Sequence, residues 1–141
     1  MIYWMIKLIK KLLGDKSLLF IALFYTTIIS IGSLVNPATL PKIDSNLSDK
    51  TIHIIGYFIL TILWAFYGFF KLRDAYFKKL LISVCSLSFL YGMIIEVLQN
   101  ELTRNRQADI YDILANGVGI FLAALLLMLS QKKIKKLKSK F

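Results

Sequence analysis

Four long apolar runs, 17–35, 51–70, 80–98 and 110–130, divide this chain, and short polar or basic segments separate them. Each run has roughly the twenty residues needed to cross about 30 Å of hydrocarbon at about 1.5 Å of helix rise per residue. The pattern predicts four transmembrane helices. Within three of the runs, small and polar residues recur at steps of three or four, which places them on one helix face. The second run gives His53, Tyr57, Thr61, Ala65 and Gly68; the third gives Cys85, Ser88, Gly92, Glu96 and Gln99; the fourth gives Asp109, Asp112, Asn116, Gly119 and Ala123. In lipid, small residues let helix backbones approach closely, and polar side chains find partners across the interface. The stripes therefore predict a bundle that is close-packed at one end, with Gly92 facing Gly119, and opens at the other into a polar pocket.

Composition supports the lipid setting. Hydrophobic residues make up 57% of the 141 and the mean hydropathy is +0.67, more apolar surface than a soluble domain of this size covers. Basic residues then orient the spans, because cytoplasmic segments carry the Lys and Arg excess. Lys7, Lys10, Lys11 and Lys16 precede the first span; Lys71, Arg73, Lys78 and Lys79 join the second to the third; Lys132, Lys133, Lys135, Lys136, Lys138 and Lys140 end the chain. Only Lys42, Lys50, Arg104 and Arg106 remain for the other side, where most of the acidic residues also fall. Both termini are expected in the cytoplasm, and the polar pocket is expected to face outward.

The segment 1–13 sets lysines on one face and carries Tyr3 and Trp4, which suits an amphipathic helix lying in the inner interface. The first span is too long for an ordinary signal-peptide core, and no A-x-A site follows it, so it reads as a retained helix. The net charge of +10 brackets the spans instead of forming one groove, which points to anionic lipids at the cytoplasmic face and away from nucleic acid. Cys85, the single cysteine, reads as a packing residue. The sequon at Asn46 is a weak match, and no glycan is expected there. The whole chain reads as one all-α membrane domain.

Polar chemistry gathers on the outward side: Asp49, Lys50, His53, Glu96, Gln99, Asn100, Arg104, Arg106, Asp109, Asp112 and Asn116. Asp49 and Asp109 stand where a carboxylate caps free amides and meets the positive end of a helix dipole, so a structural role is open to both. Lys50 begins a helix and Glu96 nears the end of one; each opposes the local dipole, and an ion pair between them is the simplest account. His53 lies one turn after Asp49 and one turn before Tyr57. Asp49 could orient the imidazole for acid or base work, or the ring could serve structure alone. A zinc site from His53, Glu96 and Asp112 is conceivable, but there is no H-E-x-x-H and no second histidine, so no metal or other cofactor is expected. Arg106 offers a bidentate fork for phosphate, or a salt bridge to Glu101 or Asp109. Asn116 is deep enough to need a bundle partner.

Taken in order, Asp49-Lys50-x-x-His53-x-x-x-Tyr57, Glu96-x-x-Gln99 and Arg106-x-x-Asp109-x-x-Asp112-x-x-x-Asn116-x-x-Gly119 resemble the VanZ-like family of small bacterial membrane proteins. The resemblance covers roughly 49–119; the first span and the basic tail carry no part of it. It implies a four-span protein of the bacterial cytoplasmic membrane, in a family named for a member linked to resistance to the glycopeptide teicoplanin. It does not supply a mechanism, and it does not make this chain a resistance protein.

The expected function is an outward site for an anionic amphiphile, either a phospholipid or a lipid-linked cell-envelope precursor. Lys50 and Arg106 would hold phosphate, and Gln99, Asp112 and Asn116 would bond the headgroup, with Tyr57 and Asp109 completing the binding set. Whether the site also catalyses is left open; if it does, His53 oriented by Asp49 would be the base and Glu96 the acid. Two alternatives stand beside it. One is a non-catalytic scaffold or accessory subunit of an envelope complex; the other is a small transporter, for which four spans without an inverted repeat are few. A second copy of the chain or an envelope protein is the expected protein partner.

Overall fold

The computed structural model describes residues 14–35, 48–72, 76–102 and 109–139, and every regular element among them is a helix. The helices are α1 (Asp15–Leu34), α2 (Asp49–Lys71), α3 (Phe77–Leu102), α4 (Ile110–Leu129) and α5 (Gln131–Lys138). The first four are each long and apolar enough to cross a membrane, which makes this a multi-pass membrane protein. The segment 1–13, the sequon asparagine Asn46, and Arg104 and Arg106 lie outside the described residues.

The apolar runs mark the spans well, but polar turns extend them. α3 runs several residues beyond 80–98, because Lys78 and Lys79 at one end and Asn100 and Glu101 at the other continue the helix on exposed turns. α2 starts two residues ahead of its apolar run. Ser48 caps it, its hydroxyl accepting from the Thr51 N–H at 3.3 Å, with Asp49 in the first turn.

α2 and α4 both begin at one end of the bundle, which we call the polar end, and run parallel; α1 and α3 run the opposite way. The stripes are buried: His53, Tyr57, Thr61, Ala65 and Gly68 of α2 with Asp112, Asn116, Gly119 and Ala123 of α4 and Ser88, Gly92, Glu96 and Gln99 of α3. The most extensive contact is between α2 and α4. Gly119 lets it form, because a Cβ there would collide with the Ile54 carbonyl oxygen and press on the Phe58 amide. Gly92 has different neighbours, the Tyr57 ring and the Asn116 amide, 3.0 and 3.1 Å from where its Cβ would be. The two glycines thus serve separate contacts, and the expected facing of Gly92 and Gly119 gives way to one glycine per interface.

Toward the other end the packing is apolar. Ala65, Phe69, Phe77, Leu81, Val84 and Leu127 cluster together, with Phe69 and Phe77 stacked at 4.3 Å between ring centroids. The basic tail folds as α5, which turns off at Ser130 and buries Ile134 in this cluster while its lysines face out. Lys138 Nζ donates to the Leu72 carbonyl at 2.6 Å, a cation meeting the carbonyl end of α2.

α1 lies against this group as a largely exposed helix, with Phe20, Phe24 and Ile31 presented to lipid. Side-chain hydrogen bonds hold it. Trp64 Nε1 donates to Thr26 Oγ1 at 3.1 Å, the Ser30 and Tyr91 hydroxyls meet at 2.7 Å, and the Tyr25 hydroxyl donates to the Gly56 carbonyl at 3.3 Å.

Candidate functional site

Two parallel helix N-termini meeting at one end concentrate positive dipole there, and the chain answers with carboxylates. Asp109 is the N-cap of α4, accepting the Tyr111 N–H at 2.8 Å, and Asp112 sits in the first turn. That backbone bond, followed by the Lys50 ammonium, holds the Asp109 carboxyl below the usual carboxylate range. At α2 the capping group is Ser48, so Asp49 contributes charge in the first turn instead of the cap expected of it.

Lys50 would be misplaced beside the positive end of α2 without these acids. Its Nζ lies 3.0 Å from Asp109 Oδ2 and 3.3 Å from Asp112 Oδ1, joining α2 to α4. Glu96 is 2% exposed and its Oε1 accepts the Asp109 N–H at 2.9 Å. The expected Lys50–Glu96 pair is therefore not what forms. Glu96 opposes the dipole of its own helix yet reaches the N-terminus of α4, where the sign is favourable. Lys50 takes the two aspartates of α4.

Deeper in, His53 Nδ1 lies 3.1 Å from Asn116 Oδ1, and its Nε2 lies 3.7 Å from Asp112 Oδ2. His53 is the bundle partner that the depth of Asn116 required, and Gly92 leaves the space that the Asn116 amide occupies. The Gln99 amide donates to the Ser33 carbonyl at 2.9 Å, fixing the end of α1 to α3. Tyr57, one turn below His53, packs its ring 6.2 Å from that of Tyr91; its hydroxyl is buried and has no hydrogen-bond partner among the described residues.

One nitrogen of His53 and one oxygen each of Asp49 and Asp112 lie within 4.8 Å of one another, and these atoms could hold a metal ion. This set differs from the His53, Glu96 and Asp112 grouping considered from sequence, because Glu96 is turned to the α4 backbone. Beside it, a cavity of about 380 Å³ opens between α1 and α2. Ile28, Ile29, Ile52 and Ile55 line its apolar part; Asp49, His53 and Tyr57 line the rest.

Nine of the residues picked from sequence, Asp49, Lys50, His53, Tyr57, Glu96, Gln99, Asp109, Asp112 and Asn116, are thus placed at or just below the polar end. Arg106 is outside the described residues. Sequence reasoning passed over α1, whose Tyr25, Ile29 and Ser33 wall the cavity. The available signal was Tyr25, Ile29 and Ser33 themselves at steps of four, a face that only a neighbouring helix explains.

Fold and site together define a multi-pass helical membrane protein with an ionisable centre buried at one end of its bundle. Comparison with protein-family models, curated proteins and solved structures gives no match.

Proposed function

We propose that this chain is a VanZ-like protein of the bacterial cytoplasmic membrane whose polar end faces outward and binds an anionic amphiphile, a phospholipid or a lipid-linked envelope precursor. The observation that carries the reading is the α1/α2 cavity, where an isoleucine-lined groove runs into Asp49, His53 and Tyr57. An acyl chain fits the first part and a headgroup the second, as ligand sites that are mostly apolar with a few polar groups require. Arg106 is the phosphate anchor in this reading. His53, in contact with Asp112 and Asn116, is the group able to move a proton if the bound molecule is also modified.

Gly32 lines the groove, and nothing lies within 4 Å of where its Cβ would be, so a side chain placed there meets no collision at its base, and Gly32→Trp is the variant chosen to fill the groove. Native mass spectrometry of gently extracted protein should find one lipid class retained by the wild type. That lipid should be lost from Gly32→Trp and weakened in Arg106→Ala. Equal retention in all three proteins would remove the site from lipid binding.

A second reading is a scaffold in which the polar cluster fastens helices and docks an envelope partner. The engagement of Lys50 and Glu96 with α4 favours it. A folded His53→Ala variant that still recovers the same partner protein, yet has lost its cellular effect, would count against the scaffold.

A further inference from the structure

We propose that His53, Asp49 and Asp112 form a binding site for a divalent transition-metal ion, with Zn²⁺ the best match to the ligands, between the first turns of α2 and α4. This inference does not depend on the amphiphile reading.

The ligand atoms are already gathered. One atom from each residue lies within 4.8 Å of the others. Ligands about 2.0–2.2 Å from a tetrahedral zinc ion stand roughly 3.3–3.6 Å apart, so closure by about 1.5 Å at most completes the set. Two of the three residues are in first turns of helices tied together by Lys50, which limits how far the atoms can drift.

The histidine supplies the second observation. Its ring is buried, at 9% exposure. In the tautomer that carries its proton on Nδ1, the ring donates to the Asn116 amide oxygen 3.1 Å away. Nε2 is left with a lone pair, and among the described residues it faces Asp112 Oδ2 at 3.7 Å, too far for a hydrogen bond. Two lone pairs facing each other are reconciled by a cation between them, a proton on the ring or a metal ion. Metal-binding histidines are held in this manner, the other ring nitrogen donating to a carbonyl or carboxylate. Asp112 is held likewise: Lys50 engages Oδ1 and leaves Oδ2 toward the ring.

One imidazole and two carboxylates suit zinc better than magnesium or calcium, which favour all-oxygen shells. Three protein ligands leave a coordination position open, and Asp49 and His53 line the α1/α2 cavity, so that position can face a guest there.

His53 is the only histidine in the chain, which makes the test direct. Untagged protein is dialysed against Zn²⁺ and its metal content measured, alongside His53→Gln, Asp112→Asn and Asn116→Leu. One ion per chain is expected in the wild type. Affinity should fall at least roughly 100-fold in the two ligand variants and about 10- to 100-fold in Asn116→Leu, whose residue positions the ring without touching the ion. In case the variants misfold, the wild type loaded with Cu²⁺ is examined by pulsed electron paramagnetic resonance for coupling to the remote nitrogen of a bound imidazole. Unsaturable or substoichiometric binding, undiminished binding by folded His53→Gln, or no imidazole coupling would each overturn the site. Absence of binding would also assign the His53–Asp112 contact to an imidazolium ion pair.

Discussion

The two ends of the bundle are both buried, but different forces hold them. At the polar end α2, α3 and α4 meet through Lys50, His53, Glu96, Asp109, Asp112 and Asn116, each in a contact of defined direction. At the other end the contact is Ala65, Phe69, Phe77, Leu81, Val84, Leu127 and Ile134, apolar throughout. Lipid is as apolar as leucine, so such a cluster gains packing but little expulsion from solvent, and it tolerates sliding. A hydrogen-bonded pair does not. The comparison teaches that the polar end sets the register of the helices, Gly119 sets their separation, and the apolar end fills space.

The largest expected effect comes from forcing the helices apart. Gly119→Val would place a side chain on the Ile54 carbonyl, where no rotamer change relieves the contact. A loss of about 3 kcal/mol is expected, at the top of the usual range for overpacking. Reversible unfolding in mixed micelles checks it, and a loss below about 1 kcal/mol would show that α2 and α4 are not so close. Gly68→Ala is the matching control. Its Cβ would meet only the end of the Leu80 side chain, at 2.8 Å, and that end can move; the cost should stay under about 1 kcal/mol.

Next comes the register. Asn116→Leu deprives the His53 ring of its 3.1 Å partner, and an orphaned buried group costs about 2 kcal/mol. Leu127→Ala probes the apolar end. Water-to-core transfer largely drops out in lipid and the cavity remains, so about 1–2 kcal/mol is expected in the same unfolding assay. A cost near 4 kcal/mol for Leu127→Ala would reverse the comparison.

The smallest effect is electrostatic. Asp109 has a folded pKa lowered first by the Tyr111 N–H and then by Lys50. Its contribution is therefore complete above the unfolded carboxylate value, about 3.9, and is lost as pH falls through the lower folded value. Stability measured between pH 6 and pH 2 should show an acid-dependent step that shrinks in Asp109→Asn, a substitution that keeps a capping side chain while removing the charge. An unchanged step would assign the acid sensitivity to other carboxylates.

Much of this architecture is legible in the sequence because lipid demands it. Twenty apolar residues announce a span, and the recurrence of His53, Tyr57, Thr61 and Ala65 announces the face it buries. What could not be read is which charge meets which. Glu96 and Lys50 both look misplaced on their own helices, and pairing them is the economical guess; only the parallel arrangement of α2 and α4 shows that Lys50 meets Asp109 and Asp112. The same arrangement turns Glu96 to the α4 backbone and brings Asp112 within reach of His53. α1 was opaque for another reason, since its hydroxyls and tyrosine look like ordinary helix filler until Trp64 and Tyr91 arrive. α5 was hidden by its lysines, although Ile134 stands among them as a buried apolar anchor.

The hydroxyls of α1 bear on the order in which the protein can be made. Thr26 Oγ1 donates to the Ala22 carbonyl at 2.7 Å and Ser30 Oγ to that of Thr26 at 2.9 Å, so their donors are spent within their own helix. Emerging ahead of α2, α3 and α4, α1 can rest in the bilayer with these two hydroxyls already satisfied, which a solitary helix in hydrocarbon needs. What it still offers are acceptors: Thr26 Oγ1 for the Trp64 indole, Ser30 Oγ for the Tyr91 hydroxyl, and the Ser33 carbonyl for the Gln99 amide. Each later donor arrives on a helix synthesised afterwards, so the earliest segment can wait in the membrane for its neighbours to complete its bonds.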